Sequence, residues 1–292
     1  MLGSAIIGVL VGTTGAGGGA LMTPMLILLF SVQPDKAISS DLVAAVVMRP
    51  LGAIVHFRKG TVNLRLVGLL ALGSVPMAFL GSYFLHLLKE SANAQTNIER
   101  LLGTALLVGA AAMMLRFVLD RRSGNTREGV VQGIHIHPVR TVLIGMVGGL
   151  VVGMTSVGSG SLMIVLMLFL YPMLGANQLV GTDLAQALPL TGAAALGALA
   201  FGSVSFGVTT SLIIGSVPAV LAGSFLSSRA PDKVIRPIIT FVILASGLKY
   251  VGVGTTELGW SLVGVLFAGF VTWLWLSKPW ATQQPGDEGA AA

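Results

Sequence analysis

Residues 149–163 read Gly-Leu-Val-Val-Gly-Met-Thr-Ser-Val-Gly-Ser-Gly-Ser-Leu-Met, and residues 8–22 read Gly-Val-Leu-Val-Gly-Thr-Thr-Gly-Ala-Gly-Gly-Gly-Ala-Leu-Met. At an offset of 141 these stretches share eight identities in fifteen positions, among them Gly12/Gly153, Thr14/Thr155, Gly17/Gly158 and Gly19/Gly160. One inserted residue later the match resumes at an offset of 142. Asp41-Leu42 falls on Asp183-Leu184, and Gly73-Ser74-Val75-Pro76 with Gly81-Ser82 falls on Gly215-Ser216-Val217-Pro218 with Gly223-Ser224. Two ordered blocks of this kind indicate a duplicated chain. Glycine at this density breaks a helix, because it gives up more backbone freedom than other residues do on becoming helical.

The setting of those breaks decides the fold class. The chain has 292 residues, 54% hydrophobic and 10% charged, against about 25% charged in a soluble domain. Its mean hydropathy is +0.90. Uncharged runs cover residues 1–34, 66–88, 141–182 and 184–228, and about 20 apolar residues suffice to span a bilayer. The reading is an all-α polytopic membrane protein. The runs lack the period-two alternation of a transmembrane barrel. In hydrocarbon a broken helix leaves N–H and C=O groups unsatisfied, so such breaks are expected where protein, water or a ligand meets them.

Nine apolar segments are expected, at roughly 3–30, 37–57, 64–88, 98–119, 140–171, 177–201, 206–228, 234–253 and 258–277. They group into a first repeat (1–119), a polar cytoplasmic linker (120–139), a second repeat (140–253), an additional C-terminal helix (254–277) and a disordered tail (278–292). Loop charges bear on their orientation. If all nine segments cross, the basic residues divide nine against seven; if segments 1 and 5 enter and return on one side, they divide twelve against four. Cytoplasmic loops are enriched in Lys and Arg, which favours the second arrangement, with the N-terminus outside and the C-terminus inside. It makes the repeats inverted, with about seven crossing helices and two re-entrant glycine-rich segments. Eight or nine full transmembrane helices are the alternative.

The net charge of +6 would suggest nucleic acid in a soluble chain, but here the basic residues read as topology signals, and no nucleic-acid partner is expected. There is no cysteine, and the four histidines (56, 86, 135, 137) have no zinc-type spacing, so neither metal nor cofactor is expected.

The glycine-rich breaks carry the candidate site. Helices following Gly19 and Gly160 would present free N–H groups and the positive end of their dipole to an anion. That reading takes Thr14, Gly15, Gly17, Gly18, Gly19, Thr155, Ser156, Gly158, Ser159, Gly160 and Ser161 as substrate-binding, the hydroxyls adding donors. Close packing of small residues is the competing reading. Arg49 joins the set because a mid-membrane arginine is costly without a partner, and its fork suits two oxygens of an oxoanion. A structural ion pair with Asp183 is the alternative. Asp41 and Asp183 occupy matched positions and are read either as helix caps or as proton-coupling groups. Pro76 and Pro218 should kink segments 3 and 7.

The first glycine-rich segment running into Leu21-Met22-Thr23-Pro24, the stretch Thr155 to Ser161 and both Asp-Leu pairs resemble the sulfite exporter TauE/SafE family of membrane permeases, over about residues 3–276. The resemblance implies a secondary transporter, not an enzyme, moving sulfite or a related sulfur-containing oxoanion or organosulfonate across the bacterial cytoplasmic (inner) membrane. It would act by alternating access, with export the expected direction. Its partners would be the small anion and the lipid bilayer, with proton coupling and a homodimer as further expectations. Another small organic anion is the alternative substrate. An intramembrane serine hydrolase using Ser159 or Ser161 is remote, since no Gly-x-Ser-x-Gly surrounds either.

Overall fold

The computed structural model describes residues 5, 7–9, 19–58, 60–122, 136–226 and 232–254. Nine helices with defined bounds occur among them: α1 Gly19–Phe30, α2 Pro34–Arg58, α3 Leu64–Lys89, α4 Ala94–Arg122, α5 Pro138–Thr155, α6 Leu162–Leu170, α7 Ala176–Phe201, α8 Phe206–Leu226 and α9 Asp232–Val251. No strand is found among the described residues. Six helices are long and apolar enough to cross a membrane, those of α2, α3, α4, α5, α7 and α8. Residues 1–252 form one compact unit, and a second unit begins at Val253. The ninth expected segment, the tail and most of the linker lie outside the described residues. Helix α4 continues to Arg122, past the expected linker boundary at 120. Pro76 and Pro218 are accommodated inside α3 and α8.

The surface is apolar and the interior is where polarity collects. Leu72, Val147, Leu196 and Ile214 stand exposed on α3, α5, α7 and α8, whereas Asp41, Ser74, Thr182, Asp183 and Gln186 are buried. That distribution suits lipid outside and an enclosed polar interior. Apolar packing encloses the polar groups: Leu42, Leu70, Met163 and Leu190 join α2, α3, α6 and α7, and Met22, Met48 and Leu212 join α1, α2 and α8.

Segment 5 folds back on itself. Helix α5 ends at Thr155, Ser156 adopts a left-handed conformation (φ 60°), and α6 starts at Leu162. Were the two helices collinear, Gly148 and Met163 would be roughly 22 Å apart at 1.5 Å per residue. Instead a Cβ on Gly148 would lie 2.2 Å from the Met163 sulfur. At the base, the Tyr171 hydroxyl accepts from the His137 N–H (3.1 Å) and bonds the Thr141 hydroxyl (2.5 Å). Both ends of the segment therefore lie at one level, joined by hydroxyl contacts. The hairpin can be checked by accessibility labelling, since the chain has no cysteine of its own. Val139→Cys and Met173→Cys, both at exposed positions, are expected to react from one face of the membrane and Phe206→Cys from the other. Reaction of the first two from opposite faces would overturn it.

Contacts between the halves come in exchanged pairs. A Cβ on Gly149 would lie 2.3 Å from Ser74 O, and one on Gly8 would lie 2.9 Å from Ser216 O. Likewise Gly81 approaches Leu150 O (2.6 Å) and Gly223 approaches Val9 O (2.4 Å). The Ser205 N–H donates to the Ser40 hydroxyl (3.0 Å), and the Asn63 N–H donates to the Thr182 hydroxyl (3.2 Å). Each pair maps onto the other under the 141 and 142 offsets. The hydroxyl contacts also show that α2 and α7 run antiparallel, the start of each lying beside the end of the other.

Candidate functional site

Asp41 and Asp183 are not helix caps. Helix α2 begins at Pro34 and the N-cap of α7 is Gly175, so both carboxylates sit about two turns inside their helices, where the capping N–H groups are already bonded. Asp41 is fully buried, and its Oδ2 accepts from the Thr23 hydroxyl of α1 (2.9 Å) and the Ser156 hydroxyl at the α5–α6 break (2.8 Å). Asp183 takes a hydrogen bond from the backbone N–H of Gly160 at the same break. Each carboxylate keeps a buried Oδ1 without a hydrogen-bond partner. The break thus ties together the two aspartates that the repeat places at matched positions.

Arg49 lies on α2 two turns beyond Asp41 and is 8% exposed. Its Nε and Nη2 are buried and without partners, and it acts electrostatically on both Asp183 and Asp41. No ion pair within 4.0 Å joins Arg49 to either carboxylate, so the alternative reading, a structural pair with Asp183, does not form as a contact. Arg116 of α4 also acts on Asp183. The matched residue in the second half, Thr191, directs its hydroxyl to Ala187 O (2.5 Å) and closes on its own helix. The cation belongs to one half only.

The α5–α6 break is held by its own atoms to a greater degree than the sequence suggests. The Thr155 hydroxyl donates to Val151 O (2.6 Å) and accepts from the Val157 N–H (3.1 Å), while that of Ser156 is committed to Asp41. These two are therefore not free donors for an anion, as the sequence reading had them. The N–H groups of Leu162 and Met163 both bond Gly158 O (3.1 and 3.3 Å), so the start of α6 does not offer the open N–H groups expected of it. Gly158 (φ 115°) and Gly160 (φ 97°) adopt positive φ values that side-chain-bearing residues avoid. The Ser159 hydroxyl stays available, buried and without a partner. Ser159 and Ser161 border a cavity of about 10 Å³ with Ala20, Leu21, Met113, Ile239 and Ile243, room for about one water.

Gly19, the first residue of α1, meets this break directly: a Cβ there would lie 1.9 Å from Ser156 O. Thr14, Gly15, Gly17 and Gly18 lie outside the described residues. Three features went unread in the sequence. Thr23 was visible only as part of Leu-Met-Thr-Pro. Gln186 lies one turn beyond Asp183 and donates to the Ser74 hydroxyl (2.8 Å), leaving its Oε1 unpartnered. Gly145, Gly149 and Gly153, spaced by four, seat α5 directly on the backbone of α3, at Leu70 O, Ser74 O and Ala78 O. Gly153 is thus a packing residue, and the break begins beyond it.

The chain matches the model of the sulfite exporter TauE/SafE family over residues 1–250. It is 40% identical over 246 residues to the probable membrane transporter protein YjnA of Bacillus subtilis (strain 168), covering 84% of this chain and 96% of that protein. It is 23% identical over 244 residues to the probable membrane transporter protein YdhB of the same organism, covering 83% and 95%. No solved structure matches it.

Proposed function

Because the chain belongs to the sulfite exporter TauE/SafE family of membrane transporters, we propose that it carries sulfite or a related sulfur-containing oxoanion across the bacterial cytoplasmic membrane, outward, by alternating access. The observation that carries this reading is Arg49: a buried guanidinium with two N–H-bearing nitrogens unpartnered, in a polar interior bordered by a broken helix. A guanidinium fork presents parallel donors at the spacing of two oxygens of an oxoanion. Ser159 supplies a further unpartnered donor, and Gly158 and Gly160 let the backbone pass close to a small ligand.

The exchanged contacts support two inverted halves that rock against each other. Helices α2 and α7 are antiparallel equivalents, and the clasps Ser40–Ser205 and Thr182–Asn63 lie at opposite ends of them. Opening one clasp while the other holds would expose Arg49 to one side at a time, the arrangement of inverted-repeat transporters that bind at helix breaks. The cavity beside Ser159 holds too little space for an anion, which fits a closed state between the two.

Counterflow tests the substrate. Proteoliposomes loaded with unlabelled sulfite are expected to take up external labelled sulfite transiently, while protein-free liposomes do not. Absence of counterflow, with normally eluting protein, would remove sulfite as the substrate.

A further inference from the structure

We propose that a groove between the starts of α3 and α5 holds one anionic glycerophospholipid of the surrounding bilayer, its phosphate on Arg65 and an acyl chain over Gly68. This is independent of what the transporter carries. Leu70, Ser74 and Ala78 of α3 meet Gly145, Gly149 and Gly153 of α5 in that order, so the two helices run parallel and their starts lie side by side at one end of the bundle. Glycine brings the backbones together along that seam: a Cβ on Gly73 would lie 2.2 Å from Val142 O, and one on Gly145 would lie 2.3 Å from Leu70 O. Toward the helix starts the contact ends. A Cβ on Gly68 would meet nothing within 4 Å, and a groove of about 480 Å³ opens there, lined by Leu64, Arg65, Gly68, Leu69, Ile136 and Pro138. Its size lies within the roughly 300–1,000 Å³ of small-molecule sites.

The lining selects the occupant. All of it except Arg65 is apolar side chain or glycine backbone, and the exposed Leu72, Val139 and Leu143 continue that apolar surface along α3 and α5. Arg65 is a cation with nothing to balance it. It is exposed, and it forms no hydrogen bond or ion pair among the described residues. No Asp or Glu occurs in residues 42–89 or 129–182, the stretches that contain α3 and α5. A charge at the end of a membrane helix, above an apolar groove, complements a molecule with a phosphate at the membrane surface and hydrocarbon beneath it. Guanidinium binds phosphate through paired N–H donors, and basic pockets between transmembrane helices hold anionic headgroups in this way. A free oxoanion would find a single charged side chain there and gain nothing from the apolar walls. Helices α3 and α5 belong to different halves, and Asn63, two residues before Arg65, donates its N–H to the Thr182 hydroxyl. The lipid therefore spans the seam between the halves, beside one of the two clasps.

The test titrates full-length protein, purified in a non-ionic detergent, with phosphatidylglycerol or phosphatidylcholine of the same acyl chains and counts bound lipid by native mass spectrometry. The wild type is expected to retain one phosphatidylglycerol at least about tenfold more tightly than phosphatidylcholine. In Arg65→Gln that preference is expected to fall to near one. Arg140→Gln removes the same charge from the first turn of α5, outside the groove lining, and is expected to leave the preference intact. Gly68→Leu fills the floor without changing charge and is expected to weaken phosphatidylglycerol at least about fivefold. Should Arg65→Gln elute abnormally, Arg65→Lys, which keeps the charge and loses the fork, is expected to show an intermediate preference. Equal retention of both lipids by the wild type, an unchanged preference in Arg65→Gln, or undiminished binding in Gly68→Leu would overturn the proposal. Equal losses in Arg65→Gln and Arg140→Gln would do so too, by reducing the effect to diffuse surface charge. Displacement of phosphatidylglycerol by millimolar inorganic phosphate would assign the groove to a free anion instead. Lipid-free wild type that dimerises while Gly68→Leu stays monomeric would assign it to a second copy of the chain.

Discussion

Gly19→Ala is expected to cut sulfite flux at least tenfold. The added methyl would lie 1.9 Å from the carbonyl oxygen of Ser156 and 2.8 Å from its side-chain oxygen, where real Cβ atoms essentially never come within 3.0 Å. Both obstacles belong to the residue that bonds Asp41, so relief requires the break to move away from α1 and the Ser156–Asp41 hydrogen bond to lengthen. Overpacking of this kind typically costs about 1–3 kcal/mol. Flux should fall at least tenfold, with a melting temperature lowered by a few degrees and an unchanged elution profile. Gly192→Ala is the matched control, since a Cβ there meets nothing within 4 Å and alanine favours the helix by about 0.5–1 kcal/mol. Near-normal flux in Gly19→Ala would show that α1 and the break move freely of one another, and the site would then be built from α5, α6 and Arg49 alone.

The second large effect belongs to Arg49. Hydrogen bonds to charged groups contribute roughly 1.5–3 kcal/mol, so Arg49→Ala is expected to weaken sulfite binding about 10- to 150-fold. Arg49→Lys, which keeps the charge and loses the fork, should fall between. Truncation also leaves Asp41 without its charged neighbour, so a thermal-shift measurement must accompany the binding measurement. A folded Arg49→Ala variant with wild-type affinity would make the guanidinium structural, its task being to balance Asp41 and Asp183.

How far the sequence could be read follows from the kind of signal each feature leaves. Helix positions were legible to within a few residues because lipid demands long apolar runs: segments expected at 64–88 and 177–201 are helices at Leu64–Lys89 and Ala176–Phe201. The break in segment 5 was legible because Gly158 and Gly160 need positive φ. Its partners were not. The fate of a hydroxyl depends on where a distant chain segment lies, and nothing in Thr155 or Ser156 reveals that one closes on Val151 and the other on Asp41. The two aspartates looked like caps because Ser39-Ser40 and Thr182 precede them. Those hydroxyls instead face the other half, and the helices begin about two turns earlier. Gly153 shared the spacing of the break but serves α5–α3 packing, a distinction that exists only once Ala78 lies opposite.

The exchange of partners between halves also fixes an order of events during synthesis. Asp41 receives its first donor, Thr23, from chain already made, but Ser156 lies 115 residues downstream. At about 5–20 residues per second, the ribosome needs roughly 6 to 23 seconds to deliver it. The Ser40 hydroxyl waits longer, since the N–H it receives comes from Ser205, 165 residues away. Throughout that interval the first half holds Asp41 and Arg49 at membrane depth with their enclosure unfinished. The insertion machinery that receives this chain must therefore shelter the leading helices near water until the trailing ones arrive.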